Sequence, residues 1–271
     1  MKNKVKHKQH FKPSEQHIII KETIIEAGKI ASNWYKNNPK SWKKEDGTSV
    51  SEADIEINEF LYKNLSKKIK NIGWLSEENK DDLSRLNYKK VLLVDPIDGT
   101  KSFLEGKSDF CISVALISSG RPVSGIIFNP IKKELFEAEV NKGAWINSKR
   151  IYTSNTLKLT DSKMCAFKPM FSHPAWKKPW PNMKISNKNS IAYRMSLVAK
   201  GDFDSMMALN NKSDWDLAAG DLLIKEAGGK VTDHKGKELI YNQKNTIKNS
   251  VIGCCEGLHH KIIEMVQEIN L

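Results

Sequence analysis

No stretch of the 271 residues approaches the ~20 consecutive apolar residues that a membrane-spanning helix needs, so no membrane partner is expected. Cysteine is scarce. Cys111, Cys165, Cys254 and Cys255 have no metal-knuckle spacing, and the adjacent pair is poorly placed to bridge to itself, so buried free thiols are expected rather than a disulfide framework. The basic opening residues carry no apolar core of the kind a secretory signal has, and a cytoplasmic location is the expectation. Acid is missing from two segments: residues 1–12 hold five lysines, and residues 162–200 hold eight basic residues. The excess behind the net charge of +12 sits there. Such patches suit nucleic acid or an anionic metabolite. No RNA- or DNA-binding motif is present, and the lysines of 162–200 form no helical stripe, so a small, multiply anionic substrate is expected and a nucleic-acid polymer is not. Residues 1–13 read as a basic, disordered tail.

What is present is ample core, with 39% hydrophobic and 28% charged residues, enough for one large domain or two intimate halves. In the first half, residues 14–149, Ser14 caps a helix whose Ile20, Ile24, Ala27, Ala31 and Trp34 recur at helical spacing. Residues 40–49, polar and carrying Asp46-Gly47, read as an exposed loop in which Lys43 and Lys44 are solvated or, alternatively, touch phosphate. A second helix starts near Ser51 and turns Ile57, Phe60, Leu61, Leu65 and Ile69 inward. Residues 110–117, 123–128, 134–140 and 143–146 read as an antiparallel meander, which makes this half α+β. In the second half, residues 150–271, residues 191–198 fit a helix or a strand equally well. A helix from Trp215 ends at Gly228-Gly229, a hairpin turns at His234-Lys235-Gly236, a strand lies near Val251, and an amphipathic helix starts near Leu258. No linker separates the halves, so the site should lie between them.

The chain is organised around residues 91–103, VLLVDPIDGTKSF. Four branched apolar residues predict a buried strand that ends at Asp95-Pro96, because proline fixes φ and donates no N–H. Gly99 then permits positive φ, which places Asp95, Asp98 and Thr100 around one tight turn. Two carboxylates and a hydroxyl so placed suit a hard cation that itself holds phosphate. Alone, the turn has an equally good structural reading. Three other stretches share this ambiguity. Ser51 and Asp54 have the spacing of a capping box, Glu77 and Glu78 read as solvated acids, and Asp216 in Trp215-Asp216-Leu217-Ala218-Ala219-Gly220 favours a helix macrodipole.

Taken together and in order, SEAD, LSEE, DPIDGT and WDLAAG resemble the inositol monophosphatase superfamily of lithium-sensitive, metal-dependent phosphatases, from about Ser14 onward. The resemblance implies a layered α-β-α-β-α sandwich of the sugar-phosphatase type, an antiparallel N-terminal sheet followed by a smaller C-terminal α/β half. It implies two or three Mg2+ ions: Asp95 bridging two metals, Glu77 and the Ile97 carbonyl on the first, Asp98 and Asp216 on the second. Thr100 falls where the family's water-orienting hydroxyl sits, with Asp54 as the acid paired to it. Gly99 and Thr100 N–H groups would hold phosphate oxygens, with Ser190, Arg194 and Asp216 contacting substrate, and the family's dimers allow for a homodimer. The chemistry agrees. Phosphate-monoester hydrolysis needs positive charge on the transferring group, an activated water and a stabilised leaving oxygen. Four carboxylates match two divalent cations in charge and would repel one another without them.

Two departures bear on substrate. Where animal inositol monophosphatases carry an inositol-contacting glutamate seven residues before the Trp-Asp aspartate, this chain has Leu209, and where they carry Gly-Thr before Leu-Val-Ala it has Asn189-Ser190. An apolar Leu209 with Lys184, Lys188 and Arg194 fits a flat base and a second phosphate. EAD, LSEEN and GRPVSGIIFNP resemble the bacterial bisphosphate nucleotidase branch. The expected reaction is 3'(2')-phosphoadenosine 5'-phosphate to AMP and phosphate. The alternative is inositol 1-phosphate or another sugar or polyol phosphate, followed by histidinol phosphate and fructose bisphosphate. A non-catalytic relative that binds phosphorylated ligands or nucleic acid would show a missing ligand, and no acid is missing.

Overall fold

The structure, a computed structural model, describes residues 11–174 and 176–270. Six α-helices among the described residues frame two large sheets, beside two two-stranded ones: α1 Glu15–Asn37, α2 Glu52–Lys68, α3 Thr100–Leu104, α4 Ile191–Ala199, α5 Asp214–Glu226 and α6 Glu256–Val266. None is long and apolar enough to cross a membrane.

The larger sheet has seven strands in chain order: Gly73–Ser76, Lys90–Asp98, Cys111–Ser118, Arg121–Asn129, Glu134–Glu139, Gly143–Ile146 and Lys149–Arg150. Its first pair is parallel and the rest form the expected antiparallel meander. Alternation along a strand feeds two cores at once. Val91 and Leu93 pack on α4 and α5, whereas Leu92 and Val94 face α1 and α2, and the neighbouring strand splits Ala115 and Ile117 from Val114 and Leu116 in the same way. The second sheet runs in the order Lys184–Ser186, Lys163–Cys165, Ser205–Ala208, Val251–Cys255, Gly229–Thr232. Its inner residues Met206, Ala208 and Val231 join the α4/α5 core, and Met207, Ile252 and Cys254 meet Leu258 and Ile262 of α6. The layers are therefore α-β-α-β-α. All four cysteines are buried and free.

One buried cluster takes residues from both sides of residue 150, from Leu75 through Val251. The run Ala218-Ala219-Gly220 is small because α5 lies close on the sheet: a Cβ on Gly125 would come within 3.0 Å of the Ala219 backbone.

Several expectations are corrected. Residues 40–49 are a ribbon, not a loop: Ser41–Lys43 pairs with Ser49–Ser51, closed by Thr48 N donating to Asp46 Oδ1 at 2.9 Å. The central strand does not stop at Asp95 but reaches Asp98, with a register shift between them. Proline fits there because the bulge leaves the ladder locally disrupted, and the turn waits for Gly99, at φ 99°. Residues 191–198 are helical. Around His234 a turn closes from Gly236 N to Asp233 O, but Gly229–Thr232 pairs with Val251–Cys255 and not with the segment after the turn. Most of the expected tail lies outside the described residues; Phe11, within it, stacks on Trp145 with centroids 5.6 Å apart.

Candidate active site

Strand parity that sends Val91 and Leu93 toward α5 sends Asp95 the same way. Ser76 points oppositely, its Oγ donating to Asn58 Oδ1 of α2 at 2.7 Å, so Glu77 follows on the α5 side, its N–H donating to Val94 O at 3.2 Å. Asp216 is the third residue of α5. One carboxylate oxygen from each of Glu77, Asp95 and Asp216 lies within 4.8 Å of the other two. Asp95 is 1% exposed, and its Oδ1 is buried with no hydrogen-bond partner. Burial first, then the Glu77, Asp98 and Asp216 carboxylates, pushes the Asp95 pKa well up. Burial and Asp98 do the same to Asp216. An all-oxygen, acid-rich set with an orphaned buried oxygen fits a hard divalent cation.

Asp98 stands beside this triangle and is held from the second half. Its Oδ2 accepts Ser190 Oγ and Ala192 N, both at 2.6 Å, and its Oδ1 accepts Ile191 N at 3.3 Å. The N-terminus of α4 thus orients the carboxylate and fills both acceptor sites of Oδ2, while Oδ1, with one donor, keeps a lone pair available. Burial, opposed by those donors, brings its pKa to about 6. Thr100 Oγ1 lies 3.1 Å from Asp54 Oδ1 and 3.1 Å from Ile97 O. Asp54 Oδ2 accepts Ser51 N at 2.8 Å, so the capping box occupies one oxygen and the threonine meets the other. Burial outweighs these donors and lifts the Asp54 pKa to about 6.

A cleft of about 350 Å³ opens over these groups, lined by Glu77, Asp95, Ile97, Asp98, Gly99, Thr100 and Asp216, and also by Thr48, Ser49, Lys101, Asn189, Ile191 and Lys212. Two residues expected at the substrate are elsewhere. Ser190 is 0% exposed and serves Asp98, as the cap of α4. Arg194 does not line the cleft; its Nε donates to Lys188 O at 2.6 Å. Leu209 packs in the α6 core, and Lys188 pairs with Asp109 at 3.2 Å. Lys44 is not a free surface lysine: its Nζ reaches Glu77 at 2.9 Å and Glu78 at 2.7 Å. Burial works against its charge, and the two glutamates outweigh it and raise its pKa. Asn189 stands where the family carries its Gly-Thr pair, whereas Lys101 and Lys212 have no sequence signal beyond adjacency to the motifs.

Residues 13–271 match the inositol monophosphatase family. An inositol-1-monophosphatase of Mesorhizobium japonicum is 33% identical over 77% of this chain and 81% of its own. A 3'(2'),5'-bisphosphate nucleotidase CysQ of Haemophilus influenzae is 28% identical over 86% and 91%. The crystal structure of extragenic suppressor protein suhB from Bartonella henselae superimposes with a TM-score of 0.82 at 28% identity, over 94% of this chain and 99% of that one. The chain therefore belongs to the inositol monophosphatase family of phosphatases.

Proposed function

We propose that this phosphatase hydrolyses small phosphomonoesters with Mg2+ held by Glu77, Asp95, Asp98, Asp216 and the Ile97 carbonyl. The buried, unpartnered Oδ1 of Asp95, on a carboxylate that converges with those of Glu77 and Asp216, carries this reading. A bound divalent cation would polarise phosphoryl oxygens and acidify a water. The chain's own residues then divide the remaining work. Thr100 Oγ1 orients the attacking water and takes its proton as the hydroxyl proton passes to Asp54 Oδ1, an acceptor whose pKa of about 6 suits a base near neutrality. Gly99 and Thr100 N–H groups hold phosphate oxygens at the turn.

For substrate we favour 3'(2')-phosphoadenosine 5'-phosphate, released as AMP and phosphate. Lys101 and Lys212 at the cleft supply charge for a second phosphate, and the similarity to the CysQ protein is spread over more of both chains than that to the monophosphatase. Inositol 1-phosphate is the second reading, favoured by the 33% identity and by the hydrogen-bonding Thr48, Ser49 and Asn189 at the cleft. Comparing kcat/KM on the two substrates, with and without Mg2+, tests both levels. A tenfold or greater preference for the bisphosphate is expected; preference for inositol 1-phosphate overturns the substrate, and undiminished hydrolysis in excess chelator overturns the metal.

A further inference from the structure

Glu77 and Asp216 come from segments far apart in sequence, yet one polar network, buried at Arg85 and Asp214, runs from the strand that precedes Glu77 to the start of α5. Arg85, 1% exposed, grips Asp81 through Nη2 at 2.8 Å and Nε at 3.1 Å. Its backbone lies against the first residue of the strand Gly73–Ser76, which Glu77 follows: a Cβ on Gly73 would sit 3.2 Å from Arg85 Cα and O. From there Nη1 donates to Asn242 Oδ1 at 2.6 Å, and Asn242 N donates to Asp214 Oδ2 at 2.7 Å. Asp214 opens α5, is 0% exposed, and is neutralised by Lys248 Nζ at 2.7 Å. Two residues later comes Asp216. None of Arg85, Asn242, Asp214 or Lys248 lines the cleft, and burying an arginine and an aspartate completely is costly unless each is fully paired.

We propose that the chain Arg85–Asn242–Asp214–Lys248 is a positioning brace that fixes the spacing of Glu77 against Asp216, and so sets the affinity for the divalent cation. This rests on the reading of those acids as metal ligands. The reason is geometric. Carboxylates that repel one another will spread when no cation is bound, and a second layer of rigid pairs keeps the gap at the size the cation needs. Asp214 and Arg85 enter the brace from opposite ends, so loss of either should release the same constraint.

The test uses the full chain, stripped of metal, as wild type, Asp214→Asn, Arg85→Lys and the double variant, with Mn2+ binding measured by calorimetry and melting followed in chelator. Arg85→Lys keeps the charge beside Asp81 and loses the Nη1 bond to Asn242. Each single variant should weaken Mn2+ binding by about tenfold or more, the range for outer-layer partners of metal ligands. The double variant should be little worse than either single one, because both break one network. Substrate KM at saturating metal should stay within twofold of wild type. A purely structural network would lower the melting temperature and leave Mn2+ affinity within twofold, which overturns the proposal. Should Asp214→Asn not fold, Arg85→Lys alone decides. A wild-type chain that binds no Mn2+ would instead overturn the metal reading itself.

Discussion

At the start of α2, Ser51 N donates to Asp54 Oδ2 at 2.8 Å; at the start of α5, Ser213 N donates to Asp216 Oδ2 at the same distance. Both helices open with Ser-x-x-Asp, and both use one carboxylate oxygen to satisfy a backbone donor that the helix cannot. Their second oxygens differ. Asp54, 1% exposed, meets the Thr100 hydroxyl, whereas Asp216 borders the cleft and converges with Glu77 and Asp95. The helix start settles one oxygen from local sequence; the sheet opposite decides what the other does. A cap and a functional acid are therefore not competing explanations of the same residue.

Removing each second oxygen's charge should break this comparison most strongly. Asp216→Asn should lower kcat/KM by about 10³ or more, the scale of several kcal/mol of lost charge stabilisation, and should weaken Mn2+ binding. Asp54→Asn should lower kcat by about 10²–10⁴, the usual contribution of a general base, while Mn2+ affinity stays near wild type. A pH series sharpens the contrast without mutation. Burial lifts Asp54 and Asp98 to about 6 in the fold and pushes Asp95 and Asp216 well up too, against about 3.9 when unfolded. Above pH ~4 the folded metal-free chain holds protons that the unfolded chain has released, so its stability falls as pH rises through 6 and beyond. The melting temperature in chelator should drop from pH 5 to pH 8, and Mg2+ should flatten that drop; a rise would contradict the burial of these acids. The smallest effects belong to the serines. Ser51→Ala, which also loses the Oγ bond to Asp54, should cost about 1 kcal/mol in thermal unfolding, and Ser213→Ala less.

Much of this was legible in the sequence. Residues 91–94 announce their strand because branched apolar side chains are buried on both faces, and the meander announces itself through alternation and turn residues. The capping spacing of Ser51 and Asp54 is readable, and Ser213 and Asp216 share it. Other features have no local signature. Ser190 reads as a substrate contact by position, but it is sealed under the cleft, where its hydroxyl holds Asp98. Lys44 reads as solvated until the ribbon of Ser41–Lys43 and Ser49–Ser51 carries it to Glu77 and Glu78. Arg85 lies in a charged, polar stretch, and only the fold brings Asn242 across 157 positions to meet it. Pairings over such separations are set by packing of the layers, which periodicity in one segment cannot encode.

On the proposed function, Glu77, Asp95, Asp98 and Asp216 converge on divalent cations. Calorimetric titration of the metal-stripped chain with Mn2+, beside Asp216→Asn and Asp54→Asn, tests it directly. The account predicts saturable binding that Asp216→Asn weakens by about tenfold or more and Asp54→Asn leaves within twofold. Equal affinity in all three proteins, or no binding to the wild type, would contradict it.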